Sequence, residues 1–167
     1  MRRLNFDFTL STTRSSLQSE NGQALVEFAL VLPLLALLLV SMLHFGKVFN
    51  YWNDATHLTA EGARFAVVNR KPEPTSALSL QQQLRAQADT AELRNGGTPS
   101  VVNPAQVCVD FPTGNATAGE PVRVRMSFTY SWLPIIGASI GVAQTTVTAS
   151  AVMRLETPPT NFAAGCT

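Results

Sequence analysis

The chain has 167 residues and a formal net charge of +1, and only 14% of its residues are Asp, Glu, Lys or Arg, against about 25% in a typical soluble domain. This length suffices for about one domain. The near-neutral balance argues against a nucleic-acid-binding protein and against an acidic disordered chain. With only two cysteines and two histidines, a Cys/His metal cluster is nearly impossible, so we expect neither a metal nor a nucleic-acid partner.

The low content of charged residues is explained mostly by one uncharged run, Phe28 to Gly46. As an α-helix this run would span about 28 Å, close to the hydrocarbon thickness of a bilayer. A core helix of a soluble protein rarely stays uncharged on every face for so long. The run therefore predicts a membrane-spanning helix over residues 23–46. Pro33 removes one hydrogen bond inside it and predicts a kink.

The run is preceded by a polar leader, residues 1–22, in which Arg2, Arg3 and Arg14 outnumber the acidic residues. By the positive-inside rule these arginines keep the N-terminus in the cytoplasm and put everything after Gly46 on the far side. An ordinary secretory signal has a shorter apolar stretch that is followed by a small-residue cleavage site. Because neither feature is present, we expect the apolar helix to be retained.

A short motif stands at the entrance of the apolar run. Gly22 is followed by Gln23 and, five residues after the glycine, by Glu27 and Phe28. A carboxylate here has a simple interpretation, an interfacial charge at a helix start, where the helix dipole favours an anion. The combination also resembles the processing site of type IV prepilins. That resemblance implies cleavage of the leader after Gly22 by a prepilin peptidase, and pairing of Glu27 with the freed α-amine of a neighbouring subunit.

A closer resemblance is carried by two phrases. Val26 to Leu35 reads VEFALVLPLL, and Ala60-Glu61-Gly62-Ala63-Arg64 follows on the same predicted helix. Both resemble the TadE-like family of Tad (Flp, tight-adherence) pilus assembly proteins, and the end of the chain, Tyr130 to Glu156, looks similar to that family's last strands. The middle, Lys71 to Gly119, matches no motif.

The resemblance implies a pseudopilin or minor pilin in the bacterial inner membrane, with a periplasmic C-terminal domain. Its partners would be a prepilin peptidase, other pilin-like subunits and the pilus assembly machinery, and its role would be in pilus assembly and adhesion. Whether it would stay in the membrane, start a filament or enter the pilus is left open. The alternative is an uncleaved single-pass scaffold with a periplasmic partner-binding domain.

The helix is expected to continue through a membrane-proximal extension, residues 47–70, because no strong helix breaker interrupts it. Small or apolar residues recur there every three or four positions, which predicts one face packed against the outer domain. Glu61 and Arg64 form a possible i,i+3 ion pair. Tyr51 and Trp52 are candidates for an aromatic belt at the membrane interface. The residues of the packed face are Val48, Trp52, Ala55, Thr59, Gly62 and Ala66.

Residues 71–167 predict an α+β domain. Pro72 and Pro74 end the long helix, a second helix is expected over residues 78–94, and strands with alternating apolar residues are expected over 106–111, 120–132 and 144–156. The fold class is therefore a long N-terminal helix followed by a second helix packed on a three- or four-stranded antiparallel sheet.

Three further features complete the sequence interpretation. Cys108 and Cys166 would lie in an oxidising compartment if the domain is periplasmic, and could then form a disulfide bond. The apolar segment 133–142 is either a loop folded on the sheet or an exposed patch. Its G-x-S-x-G match, residues 137–141, lacks a downstream histidine and is rejected as a nucleophile elbow. We therefore expect no enzymatic activity, no cofactor and no small-molecule substrate.

Overall fold

The computed structural model describes residues 17–132 and 144–167, with side chains from residue 22 onward. The predicted loop 133–142, its G-x-S-x-G motif and the leader up to residue 16 lie outside the described residues. The chain divides into two compact units, Met1–Met42 and Leu43–Thr167.

The predicted α+β class is confirmed: a long N-terminal apolar helix is followed by short helices and a four-stranded antiparallel sheet. Helix α1 spans Leu17–Val67 and is long and apolar enough to cross a membrane. It begins before Gly22 and continues on both sides of Pro33, and the predicted kink remains a prediction. Within the first unit, the described side chains of α1 are exposed, which is consistent with a candidate membrane span.

The predicted helix over residues 78–94 is wrong in its length. The structure contains two short helices, α2 (Leu80–Ala86) and α3 (Ala91–Asn95). Helix α2 begins with a capping box, in which the Ser79 hydroxyl accepts from the Gln82 amide and the Gln82 side chain accepts from the Ser79 amide. The break between the helices has a tertiary cause, because Asp54 of α1 binds the backbone there.

Four strands form one sheet in the order β3-β2-β1-β4. They span Gln106–Asp110 (β1), Pro121–Ser131 (β2), Gln144–Arg154 (β3) and Gly165–Cys166 (β4). The three predicted strands are thus confirmed with ends shifted by one or two residues. Val124 of β2 lies opposite Val109 and Ala151, its neighbours in β1 and β3.

The core of the second unit lies between α1, α2 and the inner face of the sheet. The alternating apolar residues from Val122 to Tyr130 in β2 are all buried, and Trp132, expected on the same face, is half-buried. The predicted packed face of α1 is confirmed in most positions, because Ala55, Thr59, Gly62 and Ala66 are buried and Val48 is half-buried. Trp52, also expected on this face, is exposed, and Tyr51 is buried in its place. This side of α1 packs on the sheet because most of its positions are small or apolar.

Candidate functional site

The candidate processing segment lies on the exposed first part of α1. A Cβ atom added to Gly22 would meet nothing within 4 Å, and the side chains of Gln23, Glu27 and Phe28 are exposed. Gln23 and Glu27 are four residues apart in α1, so they stand one turn apart on the same side of the helix. Within the chain, this segment is therefore open to a protease or to a second helix.

The phrase Ala60–Arg64 lies in the second unit near the end of α1 and divides into two faces. Gly62 is buried, and a Cβ atom placed on it would come within 2.5 Å of Leu84 Cδ1 and 3.2 Å of Val124 Cγ1. Ala63 is fully buried. The Gly-Ala pair therefore lets α1 approach α2 and the sheet closely, which is a packing role for the middle of the phrase.

The remaining residues of the phrase face outward. Arg64 is exposed and Glu61 is half-buried. The expected Glu61–Arg64 pair is absent from the ion pairs of the described residues, and the Glu61 carboxylate instead lies 4.0 Å from Nδ1 of His57. On a helix, residues three or four positions apart are neighbours, so Glu61 can approach either Arg64 or His57.

An aromatic cluster joins the outer part of α1 to the end of β2. The ring of Tyr51 packs edge-on against Phe128, with centroids 6.0 Å apart, and Tyr130 packs against Trp132 at 5.1 Å. Nδ1 of His44 lies 2.7 Å from the hydroxyl of Tyr130, at hydrogen-bond distance. Tyr51 was a candidate for the membrane belt, but it is only 4% exposed and belongs to the core. Tyr51 is buried because β2 packs against this side of α1.

The two tyrosines of this cluster are also electrostatically perturbed. Burial raises the pKa of Tyr51 to about 12, and the negative charge of Glu92 contributes in the same direction. Burial likewise raises the pKa of Tyr130 above its usual value. Removing a proton would leave a phenolate in a poorly solvated place, so both groups stay neutral at physiological pH.

No pattern in the sequence indicates the role of Asp54. Its side chain is 8% exposed, and its Oδ2 atom accepts hydrogen bonds from the backbone N–H groups of Asp89 at 3.0 Å and Thr90 at 3.3 Å. A buried carboxylate needs such partners. Asp54 therefore fastens α1 to the turn before α3.

Cys108 and Cys166 form a disulfide bond. They lie directly opposite each other in β1 and β4, with Cα atoms 4.1 Å apart. The bond ties the C-terminal tail to the sheet. The tail is also held near the end of α1, where Asn69 Oδ1 accepts from the amides of Thr160 and Asn161, both at 2.9 Å.

No group of three or more His, Cys, Asp or Glu side chains suited to a metal ion occurs within the described ranges. The strongest ion pair joins Arg123 of β2 to Asp110 of β1, neighbours across the sheet on its outer face. This carboxylate raises the pKa of the Arg123 guanidinium. The pair is half-exposed and fits a structural role on a sheet surface.

Comparison with known protein families gives a match for the N-terminal part of the chain. Residues 22–64 match the family model described as TadE-like protein. This segment starts at the glycine of the processing motif and ends at the arginine of the second phrase. No curated protein and no solved structure matches the chain. The family match connects the N-terminal part of the chain with a Tad pilus-related function and with pilin-like components.

Proposed function

We propose that this chain, whose residues 22–64 match the TadE-like family model, is a pseudopilin-like or minor pilin component of Tad/Flp pilus biogenesis. Its role is structural, in pilus assembly and adhesion, and not enzymatic. The observation that carries the proposal is the position of the Gly22 to Phe28 motif. It stands at the start of an exposed apolar helix, and the family match begins at the same glycine.

In this proposal a prepilin peptidase cleaves the chain between Gly22 and Gln23. Open space around Gly22 supports access by a protease, since a glycine without a Cβ atom allows close approach of the backbone to an active site. Cleavage frees an α-amine at Gln23 that is largely protonated at pH 7. The exposed Glu27 carboxylate would then pair with such an amine on a neighbouring pilin-like subunit, so that neither charge lies uncompensated in lipid.

The second unit lies in the periplasm in this proposal, anchored in the inner membrane with the leader in the cytoplasm. Leader arginines support this orientation through the positive-inside rule. The disulfide bond between Cys108 and Cys166 supports it independently, because such bonds form and persist in oxidising compartments.

N-terminal sequencing of the chain extracted from membranes of cells with active prepilin peptidase tests the processing step. We expect a mature chain that begins at Gln23. A Gly22→Val variant should keep its leader, because the branched side chain obstructs the peptidase. Gly46→Val is the matched control, since Gly46 is another glycine of α1 with nothing within 4 Å of an added Cβ atom; it should be cleaved normally. A native chain that still begins at Met1 would contradict processing and favour the uncleaved scaffold.

Co-purification of the major pilin tests the assembly role. Glu27→Gln removes the charge and keeps the size of the side chain, and we expect it to reduce both pilin capture and piliation. Glu73→Gln alters another exposed carboxylate, outside α1, and should leave both unchanged. Normal piliation in the Glu27→Gln strain would overturn the proposed pairing.

A further inference from the structure

The outward side of α1 just beyond the uncharged run carries an exposed aromatic surface. This aromatic surface consists of Phe45, Phe49 and Trp52, which are 67%, 57% and 44% exposed. The three residues recur every three or four positions and so lie along one side of the helix. The rings of Phe49 and Trp52 are in contact, with centroids 5.9 Å apart.

A neighbouring side of the same turns, about 100° around the helix, already has its partner. His44 reaches the hydroxyl of Tyr130, and Tyr51 packs against Phe128. A helix at the surface of a soluble domain normally has polar residues on the sides that do not face its core. Aromatic side chains in that position, next to a membrane-spanning run, indicate a second apolar partner.

We propose that the aromatic surface is seated in the headgroup layer of the membrane, with Phe49 and Trp52 among the lipids and Lys47 reaching the phosphates. The surface is continuous with the apolar run, because Phe45 belongs to that run. From Phe45 to Trp52 the helix rises about 10 Å, a little more than the interfacial layer on one side of a bilayer. Tryptophan, with an apolar ring and one N–H donor, is enriched in this layer.

The residues that follow the aromatic surface along α1 favour lipid over a partner helix as its occupant. Thr56 and His57 follow Trp52 outward, and both are exposed polar residues. A helix–helix seam that continued along the outer part of α1 would need apolar residues at the same spacing beyond Trp52. Lys47 is exposed as well, and its long side chain can cover apolar surface while its ammonium group stays in water.

Tryptophan fluorescence of the full chain in phosphatidylcholine–phosphatidylglycerol vesicles tests this inference. The sequence has two tryptophans, so the Trp132→Phe variant reports on Trp52 alone. We expect Trp52 emission to be shifted to the blue, quenched strongly by lipids brominated near the headgroup and weakly by aqueous iodide. In a chain lacking both native tryptophans, Phe49→Trp should behave in the same way. Thr56→Trp and His57→Trp should show progressively less quenching by lipid and more by iodide.

Two results would overturn the inference. Iodide quenching of Trp52 equal to that of the His57→Trp probe would place the aromatic surface in water. Trp52 could instead be protected from both quenchers. If this protection holds at high protein density and also after dilution with lipid, protein covers the aromatic surface. The inference rests on the membrane insertion in the proposed function and not on processing, because the vesicles contain no peptidase and no other pilus protein. Carbonate extraction of the same vesicles measures insertion separately. Failure of the chain to insert would overturn both the proposed function and this inference.

Discussion

The Oδ2 atom of Asp54 in α1 accepts a hydrogen bond of 3.0 Å from the backbone N–H of Asp89, which lies 35 positions later in the chain. The same oxygen accepts from the amide of Thr90, the residue before α3. One buried carboxylate thus satisfies two backbone donors at the start of a helix, where the helix itself supplies no partner. This contact explains why the second helical segment is divided in two.

Replacing Asp54 by alanine should lower the free energy of unfolding by about 1.5–3 kcal/mol, because hydrogen bonds to a charged group are lost and the backbone amides of Asp89 and Thr90 lose their acceptor. Asp54→Asn keeps an acceptor oxygen and should cost less. Urea unfolding of the full chain in detergent micelles, followed by circular dichroism, measures both. Asp89→Ala is the control, since only the backbone of Asp89 binds Asp54; a loss as large as that of Asp54→Ala would contradict this account.

Gly62→Ala should destabilise the second unit by about 1–3 kcal/mol, because the added methyl group overlaps the side chain of Leu84 in a packed core. Combining it with Leu84→Ala should cost less than the sum of the two single substitutions, since the smaller side chain makes room. Gly46→Ala, in open space on the same helix, should be neutral or stabilise the helix by up to about 1 kcal/mol. Thermal unfolding of the four variants tests the expected coupling, and strict additivity would argue against a direct clash.

Removing the disulfide bond should reduce stability by about 4 kcal/mol in the simple chain-entropy model, which counts the loop closed by the bond. The double variant Cys108→Ser, Cys166→Ser reports this loss in chemical unfolding. Adding a reductant should destabilise the native chain to a similar extent and leave the double variant unaffected. A native chain whose stability and mobility on a non-reducing gel do not respond to the reductant would mean that the bond does not form in cells.

Substitution of Asn69 should destabilise the folded chain for two separable reasons. Its φ of +51° lies in the left-handed region, and its side chain binds Thr160 and Asn161. Asn69→Gly keeps the backbone conformation and loses the side-chain bonds, whereas Asn69→Ala loses both and should be less stable by about a further 1 kcal/mol. Hydrogen exchange at the amides of Thr160 and Asn161 should accelerate in both variants. Equal stability of the two variants would exclude a contribution from the backbone conformation.

Alkaline pH should destabilise the folded unit through its tyrosines. The chain has two, Tyr51 and Tyr130, and both have raised pKa values, that of Tyr51 reaching about 12. An unfolded tyrosine ionises near pH 10, so above that pH the unfolded state releases protons that the folded state retains. The free energy of unfolding should therefore fall as pH rises from about 10 toward 12. Tyrosinate absorbance of the folded chain should appear above pH 10, later than in denaturant; coincident titrations would contradict burial of both rings.

Periodicity predicted the secondary structure well where one short-range pattern dominates. Strand β2 alternates apolar and polar residues over its whole length, and the two faces of an antiparallel sheet account for that alternation directly. The helix predicted over residues 78–94 was wrong because α2 and α3 are separated by a contact with α1, and such a contact leaves no periodic signal in the local sequence.

By itself the sequence determined the long apolar helix, its uncharged run, the antiparallel sheet and the motif at Gly22 and Glu27, because each depends on the spacing of neighbouring residues along the chain. Only the tertiary structure decided which side of α1 is buried at each level. It placed Tyr51 in the core and left Trp52 exposed, it set Gly62 against Leu84, and it gave Asp54 its backbone partners. These outcomes depend on which distant strand or helix meets a given turn, and close packing makes that choice specific to single side chains.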